Sequence, residues 1–167
     1  MQILPIRRFP DPQLKRPTRP VERVDAAVSG LIASLDTTMR HHPRCVGLAA
    51  PQVGSALRIA VMDATGHPKA PASRGLLVLV NPRLIGTEGA VVGREGCLSI
   101  PDFTANVRRA ARVRLAALDE RGVPYELWLE GFEAIIAQHE VDHLDGTLFL
   151  DRVANVTADV FRRKRYA

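Results

Sequence analysis

The stretch Gln138-His139-Glu140-Val141-Asp142-His143 constrains this chain more than any other. On a helix, residues four apart share a face with Cβ atoms about 6 Å apart, so His139 and His143 can grip one metal ion through two imidazoles. Glu140 projects beside them, within reach of a proton on a water that such an ion activates. Ala134, Ile135 and Ile136 precede the motif and predict a buried helix, from about Gly131 to Leu144, with Gly146 as its stop. Two histidines on a buried helix need polar partners, and a metal supplies them. The rest of the fold must be built around this element.

The remaining pattern is mixed. Residues 1–20, rich in Pro and Arg, read as an extended arm. Val24, Val28, Leu31, Ile32, Leu35 and Met39 recur at three- and four-residue steps and predict a long helix from about Glu22 to Arg40, closed by Pro43. Leu57 to Met62 and Leu76 to Val80 are short aliphatic runs and predict strands, with a proline-bearing loop between them. Val91 and Val92 predict another strand ending near Cys97. Apolar residues alternate along Val113–Ala117 and Tyr125–Leu129, and Asp119-Glu120-Arg121-Gly122 between them is a hairpin signal. A short basic helix is expected over Val156–Tyr166. Strands fill the middle and helices the two ends, which predicts an α+β class with antiparallel sheets around the central helix.

At 167 residues, one domain spanning 1–167 is expected, large enough to bury about 70% of its unfolded surface. The composition, 46% hydrophobic and 25% charged, excludes disorder and a disulfide scaffold. No apolar run approaches the roughly 20 residues of a membrane span. Pro10, Asp11 and Pro12 stand where a signal peptide needs its apolar core, and only two cysteines occur, so a reducing cytoplasm is expected. The formal charge of +5 favours anionic partners weakly.

A catalytic metal site usually has three protein ligands. The extended zincin signature would place a third His at position 149, but Phe149 stands there, and no Glu follows His143. The third ligand is therefore expected upstream, among Cys97, Cys45, His41, His42 and His67. Cys97 is the strongest candidate: it ends a predicted strand, follows a permissive glycine, Gly96, and offers a thiolate for a borderline or soft divalent ion.

Three segments together resemble peptide deformylase. They are Cys45-Val46-Gly47-Leu48-Ala49-Ala50-Pro51-Gln52, Glu95-Gly96-Cys97-Leu98-Ser99 and Gln138 to His143, in that family's order and at similar spacing. The resemblance covers nearly the whole chain. It implies the deformylase fold and removal of the formyl group from N-formylmethionyl nascent peptides. It implies Cys97, His139 and His143 as metal ligands, with Fe²⁺ as the usual ion and Zn²⁺, Ni²⁺ or Co²⁺ as replacements. Glu140 would be the general base and acid, and Gln52 with the Leu98 backbone N–H would be the oxyanion donors. Val46, Phe132, Ile135, Ile136 and the His139 ring would line the methionine pocket.

The residues suit that chemistry. Formamide hydrolysis needs an activated water, a polarised carbonyl and a proton for the leaving amine. Gly47, without a side chain, permits a peptide backbone to pair along its loop. Glu95 and Asp142 flank the motifs as candidates to orient the ligands, with Arg109 as an ion-pair partner. Two departures from the family pattern stand out. Cys45 replaces a glycine, which implies strain if that position needs positive φ and an oxidation-prone thiol near the metal. Gly93 replaces an aliphatic residue, which predicts a wider groove on that side. The basic segment Arg162, Arg163, Lys164 and Arg165 suggests ribosome contact through phosphates. A monomer is expected. The competing readings are a zincin-type metallopeptidase and a non-catalytic, metal-stapled RNA-binding protein.

Overall fold

The computed structural model describes residues 2–164. An extended arm with one 3-10 turn, Pro12–Lys15, leads into α1, Ala26–His41. Strands β1 (Gly47–Ala49), β2 (Ile59–Met62), β3 (Leu77–Glu88), β4 (Val91–Cys97), β5 (Ile100–Arg109), β6 (Arg112–Leu118) and β7 (Pro124–Glu130) follow. Helix α2 spans Gly131–Leu144, and the chain continues through a short α3, Val156–Asp159, into β8, Val160–Arg162.

Two antiparallel sheets form. One has the order β1-β2-β3-β6-β7, the other β4-β5-β8. The two-residue period of a strand explains how the larger sheet is covered on both faces. Along β2, Ile59 and Val61 pack with Val28, Ile32, Leu35 and Met39 of α1. Ala60 and Met62, facing the other way, pack with Ala134, Ile136, Ala137 and Leu144 of α2. β3 repeats the division, with Val78 and Val80 toward α1 and Leu79 toward α2. All four residues of β2 are accordingly buried, which is why it reads as a continuous apolar run rather than an alternating one. Each fully buried aliphatic side chain contributes about 1.5–3 kcal/mol. A third cluster, with Cys97, Ile100, Val107, Leu148 and Phe149, packs under the smaller sheet.

Several expectations need correction. Helix α1 is shorter than its apolar period suggested, because Asp25 caps it: its carboxylate accepts the Val28 N–H at 2.9 Å. β3 runs on to Glu88, past register shifts around Pro82 and Ile85. β5 carried no clear sequence signal, since Pro101, Asp102 and Asn106 interrupt it. The expected C-terminal helix forms only one turn, capped by Asn155. Val156 is exposed, so that turn has no apolar face to dock. Instead the open edge of β5 takes up Val160–Arg162 as a strand, with Phe103 opposite Arg162 and Ala105 opposite Val160. Arg165 and Tyr166 of the expected helix lie outside the described residues.

Candidate active site

Helix α2 enters from β7 at Gly131, whose φ of 59° turns the chain, and leaves at Gly146. A side chain at Gly146 would meet the Lys15 carbonyl oxygen at 2.8 Å, so the helix stop also seats the N-terminal arm. Between these points His139, Glu140 and His143 face the end of β4. The ligand atoms of Cys97, His139 and His143 lie within 4.8 Å of one another. Cys97 Sγ is 3.3 Å from His143 Nε2. Ligand atoms sharing a four-coordinate ion are about 3.5 Å apart, so this spacing suits one metal. His41, His42, His67 and Cys45 do not join the cluster.

Electrostatics support the same reading. Burial alone would raise the Cys97 thiol, but the His143 and His139 rings outweigh it and hold it well below its ordinary value. Burial opposes the charge on His139, yet Cys97 and Glu95 raise it well above the usual range. His143 Nδ1 and Glu140 Oε2 are buried without a hydrogen-bond partner among the described residues. Such atoms are costly unless a further group meets them. Burial pushes the Glu140 carboxyl up to about 7, against the pull of His139 and His143.

A buried ionic chain holds His139. Glu95 Oε2 pairs with His139 Nδ1 at 2.8 Å. Arg109 grips both Glu95 oxygens, at 2.7 and 3.0 Å, and reaches Asp142 Oδ2 at 2.6 Å. Arg152 closes the chain on Asp142 Oδ1 at 2.6 Å. Glu95, Arg109 and Asp142 are thus interior groups. Arg152 had no sequence signal, because nothing in its neighbourhood marks it as Asp142's partner. Gln138 ties the helix to the β5–β6 turn, accepting the Ala110 N–H and donating to the Ala110 carbonyl.

Gln52 sits in a 3-10 turn after β1. Its Oε1 accepts the Ala49 N–H at 3.0 Å, which aims Nε2 at Cys97 Sγ (3.3 Å) and Ser99 Oγ (3.2 Å). Ser99 is the second residue that sequence reasoning left without a role. Leu98 lines the same groove, of about 1490 Å³, as do Val46, Gly47, Phe132, Ile135 and Ile136. The Gly93 expectation needs correction: a Cβ there would lie 3.2 Å from Ile135 Cδ1, so Ile135 fills the extra space. Cys45 carries no positive φ; Arg44 does, at 65°. The Cys45 thiol donates to the Gly47 carbonyl at 3.2 Å, and burial pushes it up to about 12. Burial thus opposes formation of the thiolate, the form that reacts.

Residues 3–159 match the family model described as polypeptide deformylase. A peptide deformylase of Alkalilimnicola ehrlichii is 44% identical over 164 residues, covering 98% of this chain and 89% of that protein. A crystal structure of a Legionella pneumophila peptide deformylase superposes with a TM-score of 0.85 at 39% identity, covering 93% of this chain and 88% of that one. The Met-Ala-Ser-bound peptide deformylase of Acinetobacter baumannii superposes with a TM-score of 0.84 at 34% identity, covering 91% and 99%.

Proposed function

This chain belongs to the polypeptide deformylase family, metal-dependent hydrolases that take the formyl group from the N-terminus of new polypeptides, and on that premise we propose a division of labour among its buried residues. Cys97, His139 and His143 would hold one divalent ion, a reading supported by the mutual spacing of their ligand atoms, with His143 Nε2 turned to Cys97 Sγ. We assign Fe²⁺ as the cellular ion, with Zn²⁺, Ni²⁺ or Co²⁺ as replacements that the same donor set accepts. When bound, the ion supplies a Lewis acid and a water acidified toward a pKa of about 7.

The chain's own groups do the rest. Glu140 takes the proton of the attacking water on its buried carboxylate and returns it to the departing amine nitrogen. Burial raises this carboxyl, which favours its holding the proton between the two transfers. Gln52 Nε2, held by the Ala49 contact, and the Leu98 N–H donate to the oxygen of the formyl carbonyl as charge develops there. Glu95 fixes the His139 ring, and Arg109 and Asp142 fix Glu95.

The topology supplies the place for the peptide. Among the described residues β1 pairs only with β2, and β4 only with β5, so each presents an open edge there, and both edges line the groove. An extended peptide fits between them by strand addition. Its methionine enters the pocket formed by Val46, Phe132, Ile135, Ile136 and the His139 ring.

The observation that carries this reading is the convergence of Cys97, His139 and His143 beside Glu140 at the floor of that groove. No described helix is long and apolar enough to cross a membrane. We place the protein in the cytoplasm, as a monomer, where nascent formylated chains and reduced thiols coexist. The test is anaerobic hydrolysis of formyl-Met-Ala-Ser by the metal-loaded protein. Formate release by wild type, and none by Glu140→Ala at equal metal content, is expected. Inactivity of the loaded wild type overturns the reading.

A further inference from the structure

The groove's mouth is lined by cations. Arg44 precedes the β1 edge, Lys69 and Arg94 stand along the walls, and Arg162, Arg163 and Lys164 close the far side. All six are exposed, and none forms an ion pair among the described residues. Elsewhere on the surface, Arg40, Arg58, Arg112 and Arg114 each meet a carboxylate. Among the described residues, the only carboxylates lining the groove are Glu95, committed to Arg109 and His139, and the buried Glu140.

Two of these cations are held in place. Arg94 donates from Nε to Asn106 Oδ1 at 2.9 Å, and its guanidinium lies 3.7 Å over the Phe161 ring of β8. Arg163 follows β8 and is anchored by its backbone N–H on the Asp102 carbonyl at 2.8 Å. Its guanidinium carbon is 3.2 Å from where a Cβ on Gly96 would lie, one residue before Cys97. The missing side chain of Gly96 is what admits it. Lys69 lies 5.6 Å over the Phe132 ring, on the wall of the methionine pocket.

We propose that this cationic rim, built from Arg94 and from the β8 segment through Arg163, makes the enzyme select formyl-methionyl peptides with acidic side chains directly after the methionine. The inference rests on the deformylase reading above. An extended peptide rises about 3.3 Å per residue, so the two or three residues after a seated methionine pass along the walls where Arg94 and Arg163 stand. Their side chains point alternately to the two sides, and both sides carry positive charge. A rim whose lining cations outnumber its lining carboxylates among the described residues raises the local concentration of anionic peptides and repels basic ones. The RNA-phosphate reading of this basic segment is the weaker one, because Arg162, Arg163 and Lys164 line the groove and do not stand on a free helix.

The test compares kcat/KM of the metal-loaded protein on formyl-Met-Asp-Glu and formyl-Met-Ala-Ser. In wild type the acidic peptide is expected to be favoured about fivefold at low ionic strength, falling below about twofold at 0.5 M salt, where screening is nearly complete beyond about 4 Å. In Arg94→Gln/Arg163→Gln the ratio falls to about one, and in Arg94→Lys/Arg163→Lys it survives in large part, because charge rather than fork geometry carries it. Ratios are taken within each variant, so a general loss of activity cancels. Equal rates in wild type at low salt, or a ratio unchanged in the glutamine variant, overturns the proposal. If neither peptide is hydrolysed, it is the deformylase reading that fails. The rim is then decided by fluorescence anisotropy of a labelled Met-Asp-Glu-Ala peptide: binding lost in the glutamine variant supports it, and binding unaltered overturns it. Tighter binding of a short single-stranded RNA than of that peptide, lost in the same variant, also overturns it.

Discussion

Gly47 and Glu140 occupy adjoining space with no room for another atom between them. A Cβ at Gly47 would lie 2.9 Å from Cδ and 3.1 Å from Cγ of Glu140. Sequence reasoning gave Gly47 to the peptide backbone, a role proposed above, and the residue stands on the edge strand β1. The packing adds a second reason, because this glycine also makes the space in which the buried carboxylate sits.

Gly47→Ala should therefore disable the enzyme without unfolding it. The methyl group must push the Glu140 carboxylate aside, and a misplaced proton carrier costs about a hundredfold or more. kcat/KM on formyl-Met-Ala-Ser, read with metal content and a thermal melt, checks this. An alanine variant with near-normal turnover contradicts the packing argument.

Glu140→Gln keeps the volume of the side chain and removes its ability to carry a proton. Turnover should drop about 10²–10⁴-fold while metal content stays at wild-type level. The same change replaces a buried carboxyl that burial has raised to about 7. At pH 8 the metal-free variant should therefore be no less stable than metal-free wild type, which urea unfolding measures.

Gln52→Leu removes the donor aimed at Cys97 and Ser99 and leaves the Ala49 N–H without its acceptor. Loss of one oxyanion donor should lower kcat by about 10²–10³. KM should change far less, because the donor matters most as charge develops on the oxygen.

Cys97→Ser replaces a thiolate by a hydroxyl that stays protonated, so metal per chain should fall steeply under equal loading. Chelation of wild type should lower its stability as well, by about 4 kcal/mol where free metal had stood a thousandfold above its dissociation constant. Melting with and without chelator reads this. Cys97→Ser should show almost no such difference.

Glu95 ties stability to pH. Burial would raise its carboxyl, but hydrogen bonds from Arg109 and His139 prevail and bring it to about 2. Its folded value lies below its unfolded value of about 4.3, so its contribution is complete above that pH and is lost as pH falls toward 2. At neutral pH the contribution is at most about 3 kcal/mol. The stability gap between wild type and Glu95→Gln should be constant from pH 8 to about 5 and shrink below about 4.3. A gap that persists undiminished at low pH removes Glu95 from this role.

Helix α2 was legible because its ends carry Gly131 and Gly146 and its interior mixes Ile and Ala with the motif. The Asp119–Gly122 hairpin was legible for a similar local reason: Asp119 Oδ1 accepts the N–H groups of Arg121 and Val123, and Gly122 has φ of 81°. β8 was not legible. Val156 and Val160 are spaced as on a helix, and only the unpaired edge of β5 turns the second of them into a strand residue. Arg109 was ambiguous for the same kind of reason. Next to Arg108 it reads as a surface charge, yet it is buried because Glu95 and Asp142 converge on it from β4 and α2.

The sequence by itself determined the helix that bears His139, Glu140 and His143, the strands rich in aliphatics, and the residue types of the metal cluster. These follow from local periodicity, turn chemistry and motif spacing, each contained within a few residues. Tertiary structure alone decided that Cys97 meets the two histidines, that Gly47 makes room for Glu140, and that Arg152 ends the ion chain. It also decided that Arg162, Arg163 and Lys164 line the groove. Each of these joins residues distant in the chain, and such contacts form only when the sheets pack around α2 and remove the partners from water.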